Sequence, residues 1–223
     1  MPMGSPEYDI AHLLGGAMLL VSFVMLGQWR AVPLVTALAA QGVLLGAAAL
    51  WQGHVQGQAH LYVTGVIALA AKAVLIPLLL RRLVAGLPPG LRDEAPGRLA
   101  AIMLPGAALV GLAMLVVVPA TTGAGIFARL DLAIALAILL LGGLKMAARR
   151  SALALVVGLL TIENALILAA VAVSGMPLVV ELSLAGLVLV VAVIAGVFAR
   201  EMGARLDSLD PAILDRHRGE GRR

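Results

Sequence analysis

The chain is a succession of long apolar stretches separated by short polar or glycine- and proline-rich segments. Seven stretches are 17 to 22 residues long, and a helix of about 20 residues rises about 30 Å, the thickness of the apolar part of a bilayer. The pattern predicts an all-α, polytopic membrane protein with seven transmembrane helices. We place these helices at Ile10–Leu26, Pro33–Trp51, Leu61–Leu80, Leu99–Val118, Phe127–Leu144, Ala152–Val173 and Pro177–Phe198.

Basic residues are unevenly distributed among the segments that connect these helices. With the N-terminus outside, 14 of the 16 lysines and arginines fall in inner segments, and only Arg129 falls in an outer one. Such a bias predicts an N-terminus outside and a C-terminus inside. We treat residues 1–199 as one seven-helix membrane domain and residues 200–223 as a polar cytoplasmic tail.

Composition supports this fold class, since 62% of the 223 residues are hydrophobic and only 13% are charged. The net charge of +4 comes from basic residues in the connecting segments, so we expect no nucleic-acid partner. Because cysteine is absent, the chain itself has no thiolate chemistry and no ligands for iron–sulfur clusters. It also lacks a P-loop and a serine nucleophile motif. We expect no catalytic centre, cofactor or metal in this chain.

Two ionisable residues lie near the middle of predicted helices, where a charge without a partner is costly. Glu163, followed by Asn164, lies about 18 Å from the inner end of the sixth helix. Lys72 lies about 17 Å from the outer end of the third helix. We therefore expect the lysine and the glutamate at nearly the same depth in the membrane.

A buried carboxyl group and a buried amine suit proton transfer. Burial disfavours the charged form of each group and a neighbouring opposite charge favours it, so a small change in surroundings can move a proton. Asn164 and Thr161 can hydrogen-bond bridging waters. The alternative is an interhelical ion pair that only fixes packing. We favour proton movement because a buried pair adds little stability compared with apolar residues.

Glu181 and Pro77 complete the candidate set. Glu181 lies about 6 Å below the outer surface in the seventh helix, within reach of Glu163 through one or two waters, and a structural role suits it equally well. Pro77 removes a backbone N–H from the third helix and predicts a bend at the inner end of that helix.

Other polar residues and glycines carry weaker signals. His54 and His60 lack the spacing of a metal site, and we assign both to an outer loop. Asp131 opens the fifth helix, where an acid suits the positive end of the helix dipole. Two pairs of glycines are expected to let helices approach closely rather than to bind a ligand: Gly42 with Gly46, and Gly142 with Gly143.

Three segments resemble a known family. ALAAKAVLIPLLLRRL in the third helix, TIENALILA in the sixth and PLVVELSL in the seventh resemble the component E membrane subunit of hydrogenase-4 and formate-hydrogenlyase-type complexes. That family is related to the K-type subunit of respiratory complex I, whose three helices correspond to residues 127–199. The tail segment ARLDSLDPAI is similar to the end of that subunit. The acids of the K-type subunit align with Leu160 and Leu187 of this chain.

The resemblance implies a non-redox, multi-pass subunit in a bacterial or archaeal cytoplasmic membrane. Its partners would be antiporter-like and other membrane-arm subunits, with a soluble hydrogenase- or dehydrogenase-type module on the inner side. Glu163 and Asn164 stand at the family's Glu-Asn position, and Lys72 and Glu181 at its other charged positions. The implied role is proton translocation or coupling. Two alternatives stay open, a stand-alone secondary transporter and a purely structural subunit of the membrane arm.

Overall fold

The computed structural model describes residues 6–86, 99–122, 126–149 and 151–173, together with three helical positions at 188, 192 and 196. Every regular element in this part of the chain is helical, and six helices are long and apolar enough to cross a membrane. The prediction of an all-α, polytopic membrane protein is therefore confirmed. Most of the seventh predicted helix, including Glu181, and the tail at 200–223 lie outside the described residues.

Each of the first six predicted helices lies within an observed one. The third is a continuous rod in which a π-helical segment separates two α-helices. The helices are α1 (Pro6–Gly27), α2 (Ala31–Gln56), α3 (Ala59–Ala68), the π segment (Leu69–Leu75), α4 (Ile76–Ala85), α5 (Leu99–Ala120), α6 (Ile126–Ala148) and α7 (Ala152–Val173).

The turn between α2 and α3 is shorter than the predicted outer loop. Gly57 has a φ of 65°, and its N–H donates to the carbonyl of Gly53, which ends α2 in a left-handed cap. Only Gly57 and Gln58 separate the two helices. Assigning His54 and His60 to a loop is therefore wrong, because His54 lies in the last turn of α2 and His60 in the first turn of α3.

The described interior holds three apolar clusters, and the two larger ones lie one toward each end of the helices, while a smaller one joins Leu26, Ile102 and Leu141. The first cluster is built around fully buried side chains near the end of α2 and the end of α7, and the second around the start of α2 and the end of α4. The first cluster includes Met18, Leu45, Leu61, Ile138, Leu168 and Val171. The second cluster includes Met25, Val35, Leu38, Ile76, Leu80, Val157 and Leu160.

Polar side chains connect α1 to α6 at both ends. His12 Nδ1 lies 2.8 Å from Asp131 Oδ1. At the other end, the buried Lys145 ammonium donates to the carbonyls of Met25 and Gln28, 3.0 and 2.7 Å away. Both carbonyls lie at the end of α1, where the Met25 carbonyl also accepts from the N–H of Gln28, so the lysine caps that helix.

Asp131 and Lys145, the two residues of α6 in these contacts, lie in different surroundings from those predicted. Because α6 begins at Ile126, Asp131 lies in its second turn and pairs with His12, so its assignment to the helix start is wrong. Lys145, counted above among the basic residues of an inner connecting segment, is buried within the last turn of α6.

Adjacent glycines in α6 offer a test of this packing. A Cβ added at Gly142 would lie 2.9 Å from the carbonyl oxygen of Gly158 in α7, whereas one added at Gly143 would meet no atom of the described residues within 4 Å. We expect Gly142→Ala to lower the free energy of unfolding by about 1–3 kcal/mol, because the helices must separate. Gly143→Ala should leave it unchanged or raise it by about 0.5–1 kcal/mol, because alanine favours a helix over glycine.

The measurement is unfolding of the full chain in mixed detergent micelles, followed by loss of helical signal as the denaturing detergent increases. Equal effects of the two substitutions would contradict the close contact between α6 and α7. Among the described residues, a close helix approach is found at Gly142 and not at Gly143.

Candidate functional site

Lys72 and Glu163 meet inside the helix bundle. The Nζ atom of Lys72 lies 2.8 Å from Oε1 of Glu163. Lys72 belongs to the π segment and Glu163 to the middle of α7, and α2 packs against both elements. The two side chains are 5% and 4% exposed, so the ion pair is removed from solvent on all sides. The helix rise predicts that the two groups lie at the same depth, and in the structure they are in direct contact.

The π segment that carries Lys72 has a local cause in the sequence. Pro77 has no N–H, and its ring would collide with the carbonyl four residues earlier in a regular α-helix. In the rod, the N–H of Ile76 instead donates to the carbonyl of Ala71, five residues back. The wide turns end where α4 begins around Pro77. The structure thus accommodates the proline by a change of helix type, and the bend at Pro77 stays a prediction.

Gly42 of α2 fixes the position of the π segment. A Cβ added at Gly42 would lie 2.6 Å from the carbonyl carbon of Lys72 and 2.8 Å from the backbone nitrogen of Ala73. Backbone atoms cannot rotate away, so only glycine permits this approach. One turn later, a Cβ at Gly46 would meet the side chain of Leu69. These two glycines therefore bring α2 against the segment that carries the lysine.

A row of hydrogen bonds runs from α7 through α2 to α1. The amide nitrogen of Asn164 donates to Oε1 of Gln41 at 2.9 Å, and Nε2 of Gln41 donates to the hydroxyl of Ser22 at 2.8 Å. The Ser22 hydroxyl donates in turn to the carbonyl of Met18. Asn164, Gln41 and Ser22 are all buried. The row places a hydrogen-bonded amide directly beside the ion pair.

Sequence reasoning missed Gln41 and Ser22. The available signal was a single polar residue near the middle of a long apolar stretch, the same signal that singled out Lys72 and Glu163. An amide or hydroxyl costs less to bury than a charge, so the signal was weaker. Both residues belong to the candidate site by contact.

Five buried side chains form what we call the polar layer: Ser22, Gln41, Lys72, Glu163 and Asn164. On each helix that contributes, residues of one apolar cluster precede the polar residue and residues of the other follow it. The polar layer therefore lies between the two apolar clusters. A proton at Glu163 is separated from either end of the bundle by packed hydrocarbon.

Two acceptors in the polar layer have spare capacity. Oε2 of Glu163 and Oδ1 of Asn164 accept no hydrogen bond from any residue in the described part of the chain. Buried acceptors of this kind are uncommon in native proteins, and a strained, catalytic or water-binding role accounts for those that occur. Thr161 is not part of the row, because its hydroxyl donates to the carbonyl of Val157 one turn earlier in α7.

A narrow void lies beside Lys72 and Asn164. Its other walls are the apolar side chains of Leu38, Ile76 and Leu160. The void is too narrow for a water molecule in this conformation. A small displacement of the π segment or of α7 would widen the void next to Lys72 and Asn164. The site therefore contains polar groups that can bind water, but in this conformation the surrounding side chains leave no room for a water molecule.

The chemistry of the site is that of acids, bases and hydrogen bonds. A proton passing between Lys72 and Glu163 would leave the net charge of the pair unchanged, and the amides of Gln41 and Asn164 are hydrogen-bonded to each other beside it. Within the described residues, no group of three or more histidine, aspartate or glutamate side chains is close enough to hold a metal ion. Glu181, the remaining predicted site residue, lies outside the described residues.

Comparison with protein-family models, with characterised proteins and with solved structures finds no match for this chain.

Proposed function

We propose that the chain is an integral membrane subunit that moves or couples protons through the Lys72–Glu163 pair. The observation that carries the proposal is the 2.8 Å contact between two ionisable groups buried at the middle of membrane-spanning helices. Ionisable residues at such depth usually face a protein interior or a water path and mark sites of proton or ion movement. Apolar residues of similar size would pack at least as stably, so stability alone does not account for the pair.

Proton transfer follows from the charge states of the pair. In the ion pair, the ammonium of Lys72 compensates the carboxylate of Glu163. A proton delivered to the carboxylate leaves the ammonium without its counter-charge, so the lysine gives up a proton more readily. If delivery and release face opposite sides of the membrane, one proton crosses per cycle. The spare acceptors at Glu163 and Asn164 bind the water that carries the proton.

The described conformation is the closed state of this cycle, since apolar clusters lie on both sides of the polar layer. Opening requires a movement that admits water beside Lys72. The π segment supplies an element for that movement, because π turns inside α-helices are frequently found at functional sites. A change between π and α registers would rotate Lys72 with respect to Glu163.

The second part of the proposal concerns the complex to which this subunit belongs. Residues 1–199 form a seven-helix domain with the N-terminus outside, as a subunit of a complex I-like or membrane-bound hydrogenase-type complex. Antiporter-like subunits are its neighbours, and Glu181 of the seventh helix extends the proton path. The support for this part is the sequence resemblance in the third, sixth and seventh helices, together with the distribution of basic residues.

The decisive experiment replaces Glu163 by glutamine, which keeps the size of the side chain and removes the exchangeable proton. In the intact complex, reconstituted into vesicles with a pH-sensitive dye inside, we expect Glu163→Gln to lower proton flux by about 100-fold or more. Asp131→Asn is the matched control, because it converts another buried carboxyl group outside the polar layer. Flux should persist in the control.

Three outcomes distinguish the alternatives. Unchanged flux with Glu163→Gln would contradict proton conduction and support the structural role that the closed packing of the polar layer also suits. Purification of the chain alone or as a homodimer, with flux intact, would support a stand-alone transporter. Purification with antiporter-like neighbours and loss of flux would support the proposal in full.

A further inference from the structure

A crevice lies at the bundle surface between α2 and the inner half of the rod formed by α3, the π segment and α4. It encloses about 170 Å³ of space, enough for several water molecules or for a short length of acyl chain. Val74 and Leu78 are about half exposed, so the crevice is open to the surroundings of the helices. Its lining consists of Ala39, Ala73, Val74, Pro77, Leu78 and Arg81.

The lining is apolar except at one end. The side chains of Ala39 and Ala73 are small, so an open space remains beside them, and Val74 and Leu78 form its walls. Arg81 is exposed and stands at the end of the crevice, where its guanidinium donates to the hydroxyl of Thr36 in α2 at 3.0 Å. This hydrogen bond ties the arginine side chain of the rod to α2.

The apolar part and the charged end lie at different depths. Ala39 and Ala73 belong to the middle of membrane-spanning helices, whereas Arg81 lies in the last turns of the rod. The distance from Ala73 to Arg81 along the rod is about 12 Å. The crevice therefore runs from membrane depth to the edge of the span, with its positive charge at the edge.

Among the described residues, the charged side chains at that edge are positive. Arg30 precedes α2 and Arg82 follows Arg81, so both lie at the same end of the bundle. The acidic residues in the described part of the chain lie elsewhere, in the polar layer or at the opposite end: Glu163, Glu7, Asp9 and Asp131. Trp29, partly exposed beside Arg30, is a residue type enriched at the membrane–water interface.

We propose that this crevice binds an anionic phospholipid, with an acyl chain between Ala39 and Leu78 and the phosphate on Arg81. An arginine fork matches the oxygens of a phosphate and forms charge-assisted hydrogen bonds with it. The length of about 12 Å is short for a transmembrane helix of about 30 Å from a neighbouring protein. The proposal does not depend on proton transfer at Lys72.

The test compares two neighbouring arginines. The full chain, purified in mild detergent, is titrated with phosphatidylglycerol or phosphatidylcholine, and bound lipid is counted by native mass spectrometry. We expect tighter binding of phosphatidylglycerol than of phosphatidylcholine, and a loss of about fivefold in its affinity with Arg81→Gln. Arg82→Gln removes the same charge one residue away from the crevice lining and should change the affinity less.

A second variant fills the apolar part. Ala39→Leu should abolish binding of phosphatidylglycerol while the free energy of unfolding is kept, because the added atoms enter existing space. Equal binding of the two lipids, or equal loss with Arg81→Gln and Arg82→Gln, would overturn the proposal. A photo-crosslinking group at position 78 that attaches to another protein in native membranes, and not to lipid, would overturn it as well.

Discussion

Removing either member of the Lys72–Glu163 pair alone is expected to lower the free energy of unfolding by about 3–5 kcal/mol. Lys72→Met leaves the carboxylate buried without its cation, and Glu163→Met leaves the ammonium buried without its anion. Both groups are almost fully enclosed, so solvent does not compensate the remaining charge. The double substitution Lys72→Met with Glu163→Met should recover most of the loss, because two apolar side chains of similar length replace two compensated charges.

The measurement is a double-mutant cycle on the full chain, with unfolding in mixed detergent micelles followed by loss of helical signal. The coupling energy is the part of the two single losses that the double variant recovers. A loss below about 1 kcal/mol in both single variants would match the value of an exposed pair and would contradict the buried contact.

The same double variant separates a structural role from a transport role. A pair that only held the helices together would be replaceable, so a stable double variant would leave proton flux unchanged. A pair that carries protons is not replaceable, because methionine has no exchangeable proton. We expect the double variant to fold and to have lost flux.

The helices and the depth of the ion pair could be predicted because both depend on the fixed rise of an α-helix. Counting residues from the end of an apolar stretch gives depth directly, so Lys72 and Glu163 were expected at one level. Counting residues does not predict how each helix is rotated about its own axis. That rotation decides that Glu163 faces the π segment and that Asn164 faces Gln41 of α2.

Contacts between distant helices were missed for the same reason. His12 and Asp131 are 119 residues apart in the chain, and Lys145 caps a helix that ends more than a hundred residues before it. The sequence alone places Asp131 at a helix start and Lys145 among the basic residues near an inner end. Only the order in which helices pack, with α1 against α6, assigns partners to them.

The π segment is a consequence of sequence that a regular-helix count does not capture. Pro77 indicated a disturbance of the third helix, and the structure resolves it as seven residues of wider turns before the proline. Because Lys72 lies within these turns, its direction differs from the one that 3.6 residues per turn would give. The position of the lysine toward Glu163 therefore depends on the proline five residues later.

Gly42→Ala is expected to displace the π segment and to separate Lys72 from Glu163. The added Cβ would lie 2.6 to 2.8 Å from three backbone atoms of Lys72 and Ala73, and none of them can move without the helix. We expect a loss of about 1–3 kcal/mol in the free energy of unfolding from the overpacking itself. Proton flux should fall as well, since the lysine no longer meets the carboxylate.

Two other glycines serve as controls for this prediction. Gly16→Ala adds its methyl group where no atom of the described part of the chain lies within 4 Å and should leave stability and flux intact. Gly46→Ala meets mainly the side chain of Leu69, which can adopt another rotamer, so its effect should be smaller than that of Gly42→Ala. If Gly46→Ala reduced flux as much as Gly42→Ala, general contact between α2 and the rod would suffice as an explanation. A larger effect at Gly42, which faces the backbone of Lys72, would assign the positioning of the lysine to that contact.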